Sequence, residues 1–426
     1  MSAGSDVLWH LLLALAIVVL AGRCLGALLR VAGQPPVIGE VVAGILLGPS
    51  LFGRIAPDAF LFIFPPSVIP PLGALAQLGV ILYMFVVGLE LNTDLLRGQL
   101  RATIAISHSS IVVPFLLGSG LALYLHPRFA PPGVRVVHFA LFLGIAMSIT
   151  AFPVLARILA DRGMTRTRVG ALALTCAAVD DVTAWCLLAL VVGVVQAGGS
   201  SIFAVTLLTA GFIAFMFLAV RPLFARLTAS AKGHVSPGAL ALTLASIVAA
   251  AWTAEAIGIH AIFGAFLLGA VIPHDSALAG RLERGLGGLV TALILPAFFA
   301  LTGLRTEIGL VSGGYEWAIC GVIVLVATAG KFGGTVVAAL LTGLDRRHAA
   351  GLGILMNTRG LMELIVLNVG LDLGVISPVL FAMMVLMALA TTIATTPVLA
   401  RIPGLTEGVQ PAVLSADDDA AGRDGR

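Results

Sequence analysis

Long apolar runs separated by short polar stretches dominate the chain. A helix needs about 20 apolar residues to cross roughly 30 Å of hydrocarbon, and a helix satisfies its own backbone polar groups inside lipid. The pattern therefore predicts an all-α protein of about 13 transmembrane helices, of which the second and ninth are short and rich in Gly and Pro. The predicted spans are residues 8–29, 35–52, 69–90, 103–125, 137–160, 169–195, 201–222, 236–255, 259–274, 285–304, 317–343, 349–371 and 376–400.

The overall composition excludes a water-soluble protein. Of 426 residues, 59% are hydrophobic and only 11% are charged. A soluble domain carries roughly a quarter of its residues charged, which keeps its surface hydrated. The chain is therefore expected to be an integral membrane protein whose main surroundings are membrane lipid.

Basic residues are distributed unevenly between the two sides of the predicted spans. Fifteen Arg and Lys residues fall in the loops on one side, and four fall on the other. Because cytoplasmic loops hold the excess of basic residues, this predicts an outside N-terminus and a cytoplasmic C-terminus in a plasma (inner) membrane. The net charge of +3 then reflects orientation, and no basic cluster with interleaved aromatic residues indicates binding to nucleic acid.

The polar segments contain no motif for a nucleotide. A GxGxxG after a strand pattern and a GxxxxGK[ST] are both missing from the sequence, so we expect no nucleotide-binding domain in this chain, no ATP-driven pumping and no resident cofactor. We also expect that the protein is not an enzyme. Residues 404–426, rich in Ala, Asp and Gly, are predicted to form a disordered cytoplasmic tail.

Two predicted spans are interrupted by polar and helix-breaking residues. Residues 147–153 break the fifth span and residues 356–360 break the twelfth. Each is the second span in a group of three, as expected for an inverted-repeat transporter whose half-helices meet a substrate in mid-membrane. Pro and Gly are also commoner in membrane helices generally, but the matched pair favours the transporter. The polar residues in the two breaks are Ser148, Thr150, Asn357 and Thr358.

Ionisable groups inside the spans are the main candidates for chemistry, because each costs at least ~2.5 kcal/mol at the membrane centre. Adjacent helix residues point about 100° apart, so Asp180 and Asp181 can face different partners. Two like charges in a low dielectric favour a proton on one of them, which suits a site that binds a cation or a proton. The candidates in the spans are Asp180, Asp181, Lys331, Arg359 and Glu363.

The two basic residues in this set have different predicted partners. Lys331 is flanked by Gly and Ala residues that allow close helix packing, and its ammonium needs a carboxylate, either Asp180 or Asp181. Arg359 and Glu363 are one turn apart, so they form either a supporting ion pair or a direct part of the site. At the break, the charge of Arg359 would also compensate exposed carbonyls. Glu40, near the start of the short second span, is the weakest candidate.

Five stretches of the chain together resemble the monovalent cation:proton antiporter-2 family, which includes bacterial sodium/proton antiporters and plant cation/proton exchangers. They are spread from the second to the twelfth span, so the resemblance covers nearly the whole chain. The stretches are QPPVIGEVVAGILLGP at 34–49, SITAFPVLAR at 148–157, AVDD at 178–181, GIHAIFGAF at 258–266 and MNTRGLMELI at 356–365.

The resemblance implies a particular architecture. The transmembrane exchanger domain would cover residues 1–403, with two crossed, unwound helices in a core that slides like an elevator beside a dimerisation domain. The protein would be a homodimer, and the GxxxG of Gly44 and Gly48 would suit close helix packing at a dimer contact. The implied parts are a core of about 103–195 and 317–400, a dimerisation domain of about 8–90 and 236–304, and a connector helix at 201–222.

The resemblance also implies roles for individual residues. Asp181 would take the transported cation (Na⁺, K⁺ or Li⁺) or a proton, Asp180 would pair with Lys331, and Thr150 would lie at the unwound crossing. Cation and proton would compete for the paired aspartates, so that Asp180 and Asp181 together form the predicted ion- and proton-binding site. A secondary antiporter is therefore predicted, while a gated cation channel and a sodium-coupled organic-solute symporter stay open as alternatives. The choice between Na⁺ and K⁺ also stays open, because selectivity depends on the fine placement of coordinating oxygens.

Overall fold

The protein is described by a computed structural model covering residues 3–90, 100–165, 167–196, 202–230, 236–273, 275–402 and 405. All regular structure in these residues is helical. The predicted tail, apart from residue 405, lies outside the described residues. The α-helices are α1 (Ala3–Val31), α2 (Pro36–Leu47), α3 (Phe52–Ile55), α4 (Pro57–Ile63), α5 (Ile69–Glu90), α6 (Leu100–Phe129), α7 (Val136–Ser148), α8 (Phe152–Asp161), α9 (Arg168–Gln196), α10 (Ile202–Phe215), α11 (Arg221–Ser230), α12 (Pro237–Ile257), α13 (Ala261–Val271), α14 (Ala277–Leu289), α15 (Leu295–Arg305), α16 (Gly314–Leu341), α17 (Arg346–Met356), α18 (Leu361–Asp372) and α19 (Pro378–Leu399).

The predicted all-α membrane class is confirmed. Eleven of the described segments are long and apolar enough to cross a membrane, and a twelfth is formed by α17 and α18 together, which are bent by 42° at their break. The difference from thirteen lies in the ninth predicted span. There α12 ends at Ile257, before Gly258, which has a φ of 92°. Helix α13 has only 11 residues, a length of about 16 Å. Its apolar side chains are buried against α5 and α12, so the run reflects burial in protein rather than a full crossing.

Glycines allow several of these helices to touch backbone to backbone. A Cβ on Gly44 would lie 2.4 Å from the Ala300 carbonyl oxygen, and one on Gly303 would lie 2.5 Å from the carbonyl carbon of Gly44. The GxxxG of the second span therefore packs α2 against α15 of the same chain, so the expectation that it serves a dimer contact is wrong. Small residues permit this approach and gain contact over the backbone.

The two interrupted spans cross each other at their breaks. Helix α7 ends at Ser148, the chain is extended at Ile149, and α8 begins at Phe152. In the other span α17 ends at Met356 and α18 begins five residues later, at Leu361, after Gly360, whose φ of 170° is extended. The N–H of Ala151 donates to the carbonyl of Thr358 at 3.0 Å. This bond joins the two extended segments directly, and the predicted pair of crossed, unwound helices is confirmed.

Two helices contain a π turn, which holds one residue more than an α turn. One is Met216–Val220, between α10 and α11, and the other is Val290–Ile294, between α14 and α15. Arg23 of α1 donates from Nη2 to the carbonyls of Thr291 and Ala292 at 2.9 and 3.0 Å. The second π turn is thus held from outside its own helix.

Candidate functional site

Asp180 lies midway along α9, fully buried, and accepts four hydrogen bonds. Its Oδ1 accepts from Ser107 Oγ at 2.6 Å, and its Oδ2 accepts from Ser110 Oγ at 2.7 Å and Thr150 Oγ1 at 2.8 Å. The fourth donor is Lys331 Nζ, 3.0 Å from Oδ2. Burying a carboxylate is costly unless it is paired and hydrogen-bonded, and both conditions hold here.

Lys331 is also fully buried, and all three of its N–H groups are used. Besides Asp180, the ammonium donates to the carbonyl oxygens of Ser110 at 2.9 Å and Ser148 at 2.5 Å. Gly330 and Gly334 flank it on α16, and a Cβ on either would lie less than 3 Å from atoms of α6. As expected from the small residues around Lys331, the two helices approach closely enough to place the ammonium between α6, α7 and α9.

Asp181 follows Asp180 in the chain and has the opposite surroundings. It is 4% exposed, and neither of its carboxylate oxygens accepts a hydrogen bond from any described residue. An ionised carboxylate without donors is strongly disfavoured in a buried site, so this group favours either a proton or a bound cation. The step of about 100° between neighbouring helix residues accounts for the difference.

Arg359 and Glu363 form a second buried ion pair, with Nη1 and Oε2 2.8 Å apart. The guanidinium also donates to the carbonyls of Ala146 at 3.0 Å and Met147 at 2.7 Å. These carbonyls belong to the last turn of α7, the negative end of the helix dipole. Arg359 therefore compensates exposed carbonyls at the crossing while it is neutralised by Glu363.

The four polar residues of the breaks make different contacts. Among them, Thr150 donates its hydroxyl to Asp180, whereas Ser148 accepts from Lys331 with its backbone carbonyl. The hydroxyl of Ser148 donates to the carbonyls of Gly144 and Ile111. Thr358 Oγ1 lies 3.5 Å from Thr395 Oγ1. Asn357 Oδ1 is buried and accepts no hydrogen bond within the described part of the chain.

Glu40 occupies a separate place in the molecule. It is buried in α2 and lines a cavity of about 420 Å³ together with Arg23 and Arg30 of α1. None of the five buried charges around the crossing lines this cavity. The structure therefore brings the predicted site residues together around the crossing, with the exception of Glu40, which lies elsewhere.

Ser107 and Ser110 are site residues that the sequence analysis did not select. Both hydroxyls bind Asp180, and their spacing of three residues places them on one face of α6. The signal in the sequence is the cluster Ser-His-Ser-Ser at 107–110 in an otherwise apolar span. Such a cluster becomes informative only when a buried charge is known to lie opposite.

The charges of the site do not cancel. Lys331 pairs with Asp180, and Arg359 pairs with Glu363, so each ion pair is neutral. With every group ionised, the unpaired Asp181 gives the buried cluster a net charge of −1. One monovalent cation or one proton at Asp181 makes the cluster neutral.

Comparisons with known proteins agree on one family. The family model described as "Sodium/hydrogen exchanger, transmembrane" matches residues 12–402. The Na(+)/H(+) antiporter NhaS4 of Synechocystis is 45% identical over 401 residues, covering 92% of this chain and 97% of the relative. Cation/H(+) antiporter 17 of Arabidopsis thaliana is 40% identical over 397 residues, and the chain spans only 48% of its length.

A solved structure shows the same fold. The sodium proton antiporter MjNhaP1 of Methanocaldococcus jannaschii superposes with a TM-score of 0.66 at 13% identity, covering 92% of this chain and 96% of its own. The relatives are transporters rather than enzymes. The chain therefore belongs to the transmembrane sodium/hydrogen exchanger family, within the cation:proton antiporter-2 group that its motifs resemble.

Proposed function

We propose that this chain is a secondary active antiporter that exchanges a small monovalent cation, Na⁺ or K⁺, for protons, and that the two compete for Asp181. The observation that carries the proposal is the contrast between the adjacent aspartates: Asp180 accepts four hydrogen bonds, whereas buried Asp181 accepts none from the described residues. The names of the relatives, a Na(+)/H(+) antiporter and a cation/H(+) antiporter, support it.

Competition for one carboxylate is sufficient to couple the two fluxes. An uncompensated charge in the membrane interior costs at least ~2.5 kcal/mol, so the site with ionised, empty Asp181 is the unfavourable form to move. A cation or a proton removes that charge, and either loaded form can cross. Because the empty form does not return, each cation in one direction is matched by a proton in the other.

Asp180 and Lys331 form the frame of this site, by which we mean the ion pair and hydrogen bonds that hold the surrounding helices together. Their contacts connect α6, α7, α9 and α16 through one ion pair and its hydrogen bonds. A carboxylate with four donors has no free position for a cation, so the transported ion goes to Asp181. Further oxygen ligands would come from the polar residues of the crossing, among them Asn357, whose buried Oδ1 accepts no hydrogen bond from the described residues.

The site moves, on this proposal, by an elevator motion of a core domain in a homodimer. The core is assigned to about 103–195 and 317–400, the dimerisation domain to about 8–90 and 236–304, and the connector to 201–222. Support comes from the crossed helices, which lie wholly inside the core, and from the similarity of fold to MjNhaP1. The asymmetry of basic residues supports an inner membrane with the N-terminus outside.

The test uses purified protein in liposomes with an imposed pH gradient and a pH-sensitive dye in the lumen. Na⁺, K⁺ and Li⁺ are added in turn to the wild type, to Asp181→Asn and to Glu283→Gln, which removes an exposed carboxylate of α14. Asn keeps the size of the side chain but carries no charge. We expect cation-evoked proton movement in the wild type and in Glu283→Gln, and a loss of at least ~100-fold in Asp181→Asn.

Two results contradict the proposal. Cation flux without proton movement indicates the channel, and proton movement that persists in Asp181→Asn places the exchange at another group. The ranking of the three cations in the wild type decides between sodium and potassium as the physiological substrate class.

A further inference from the structure

Helix α6 contains a proline inside its length, directly beside the site. Pro114 has no backbone N–H, so the carbonyl of Ser110, four residues earlier, lacks the donor that a regular helix supplies. A buried carbonyl without a donor is costly, and such groups in native proteins find another partner. The partner of the Ser110 carbonyl here is Lys331 Nζ, at 2.9 Å.

The same proline lies at the contact between α6 and α16. A Cβ on Gly330 would lie 2.8 Å from the Cα of Pro114, so the two backbones touch at this level, and Lys331 is the next residue of α16. Ser110 consequently meets both members of the ion pair. Its carbonyl accepts from Lys331, and its hydroxyl donates to Asp180 at 2.7 Å.

We propose that Pro114 is a positioning residue of the transport site: by leaving the Ser110 carbonyl without a helical donor, it provides one of the two backbone acceptors that hold the Lys331 ammonium beside Asp180. The inference rests on the proposed function, because it assigns Pro114 to the frame that presents Asp181. A residue with an N–H at position 114 would compete with Lys331 for the same carbonyl oxygen.

Two other prolines inside helices also leave a carbonyl without a helical donor, but neither carbonyl binds Lys331. Pro397 inside α19 frees the carbonyl of Ile393 in the same way, and that oxygen accepts from Gln34 Nε2 at 3.2 Å. Pro127, in the last turn of α6, frees the carbonyl of Leu123, whose side chain is exposed. Pro127 therefore offers a proline of the same helix that lies outside the site.

The test compares two replacements at position 114 that differ in one N–H group. Pro114→Ala restores the N–H, whereas lactic acid, introduced by nonsense suppression, carries the same methyl side chain on an ester bond and has no N–H. We expect kcat/KM for cation/proton exchange in liposomes to fall about tenfold in Pro114→Ala, the effect of losing one charge-assisted hydrogen bond. The lactic acid variant is expected to stay within about twofold of the wild type, as is Pro127→Ala.

Equal behaviour of the two replacements overturns the inference. If both lose exchange, the ring or the bend matters rather than the missing N–H; if both keep it, the freed carbonyl has no role. Failure of Pro114→Ala to fold, with a folded and active lactic acid variant, supports the inference because the N–H is the relevant difference. Should the wild type itself show no exchange, the proposed function fails, and the apparent melting temperatures of the two variants still test the contact: a lower value for Pro114→Ala alone supports it.

Discussion

Asp180 and Asp181 are neighbours in the chain but differ in every contact that the structure describes. Asp180 is held by three hydroxyls and an ammonium, and Asp181 by none of these. Their surroundings differ because one step along a helix turns a side chain by about 100°. The donors from α6, α16 and the break between α7 and α8 meet Asp180 and not Asp181. A structural residue, Asp180, and the proposed binding residue, Asp181, can thus occupy adjacent positions in the chain.

The ion pair of Asp180 and Lys331 is expected to show strong mutual dependence in stability. Removing one partner leaves a buried unpaired charge, so Asp180→Leu or Lys331→Met alone is expected to lower the free energy of unfolding by about 3–5 kcal/mol. The double variant replaces both charges with apolar groups and is expected to recover most of that loss. Unfolding of the protein in detergent, followed by tryptophan fluorescence, measures all three.

An exposed ion pair gives the control for this cycle. Arg128 and Glu316 lie 3.0 Å apart, with the arginine side chain 58% exposed, and such pairs contribute only about 0–1 kcal/mol. Arg128→Gln is therefore expected to change the stability little. A double variant at Asp180 and Lys331 that is as unstable as the two single variants contradicts the account.

Much of the site could be predicted from the sequence, for a physical reason. An ionisable residue in an apolar span is rare because it is costly, so Asp180, Asp181 and Lys331 stand out. Ser107 and Ser110 do not, because a hydroxyl in a helix satisfies itself on a nearby carbonyl at little cost. Composition and spacing alone left open which aspartate meets Lys331, since that depends on the rotation of α9 against α16. The family resemblance implied Asp180, which is the partner in the structure.

The carboxyl end of α7 is neutralised from two sides. The carbonyls of its last three residues, 146–148, accept hydrogen bonds from Arg359 or Lys331. The two cations come from different elements: Arg359 from the break between α17 and α18, and Lys331 from α16. The breaks were predictable from Ser, Thr, Pro and Gly in the spans, but their hydrogen bond and these caps were not, because they join residues about 200 positions apart.

Helices α15 and α18 are joined by polar contacts near one end of the proposed domain interface. Arg305 Nη1 donates to Asn368 Oδ1 at 3.1 Å and to Asp372 Oδ1 at 2.9 Å, and Asn368 Nδ2 donates to Thr302 Oγ1 at 2.9 Å. On the predicted orientation this is the outer end. An elevator motion of the core has to break these contacts, because one helix belongs to each domain.

A cross-link at this point is therefore expected to stop transport. In a background with the four cysteines replaced, Arg305→Cys/Asp372→Cys is treated with a short bifunctional thiol reagent that a reductant cleaves. We expect exchange in liposomes to fall at least tenfold after cross-linking and to return after reduction, because the core can no longer slide past α15.

The matched control is Arg128→Cys/Glu316→Cys, which links α6 and α16 inside the core. Both helices move together on the elevator proposal, so this cross-link is expected to leave exchange within about twofold. Unimpaired exchange in the cross-linked Arg305/Asp372 pair argues against a sliding core.

The surface of the whole molecule agrees with lipid as its solvent. Large apolar side chains project outward along the spans, among them Trp252 at 71% exposure, Leu218 at 78% and Leu341 at 83%. Such side chains are favoured at a surface that faces lipid rather than water. Class and approximate span number were thus predictable from composition and run length, whereas the short α13 was not, because burial inside protein and burial in lipid select the same residues.

The orientation of the whole molecule can be tested with a membrane-impermeant thiol reagent on intact cells. In the same cysteine-free background, Arg128→Cys is expected to react from outside, and Asp345→Cys, in the turn before α17, only after the membrane is permeabilised. The excess of basic residues on the side of Asp345 is the reason. The reverse pattern of labelling contradicts an outside N-terminus.

The π turn at Val290–Ile294 determines which direction the residues after it face. One extra residue in a helix advances everything after it by about 100° and 1.5 Å relative to an uninterrupted α-helix. Downstream of it lie Gly303, pressed against Gly44, and Arg305, bonded to Asp372. In a regular helix these two residues would face other directions. The number of residues between α14 and α15, more than the identity of any one of them, therefore allows α15 to contact both α2 and α18.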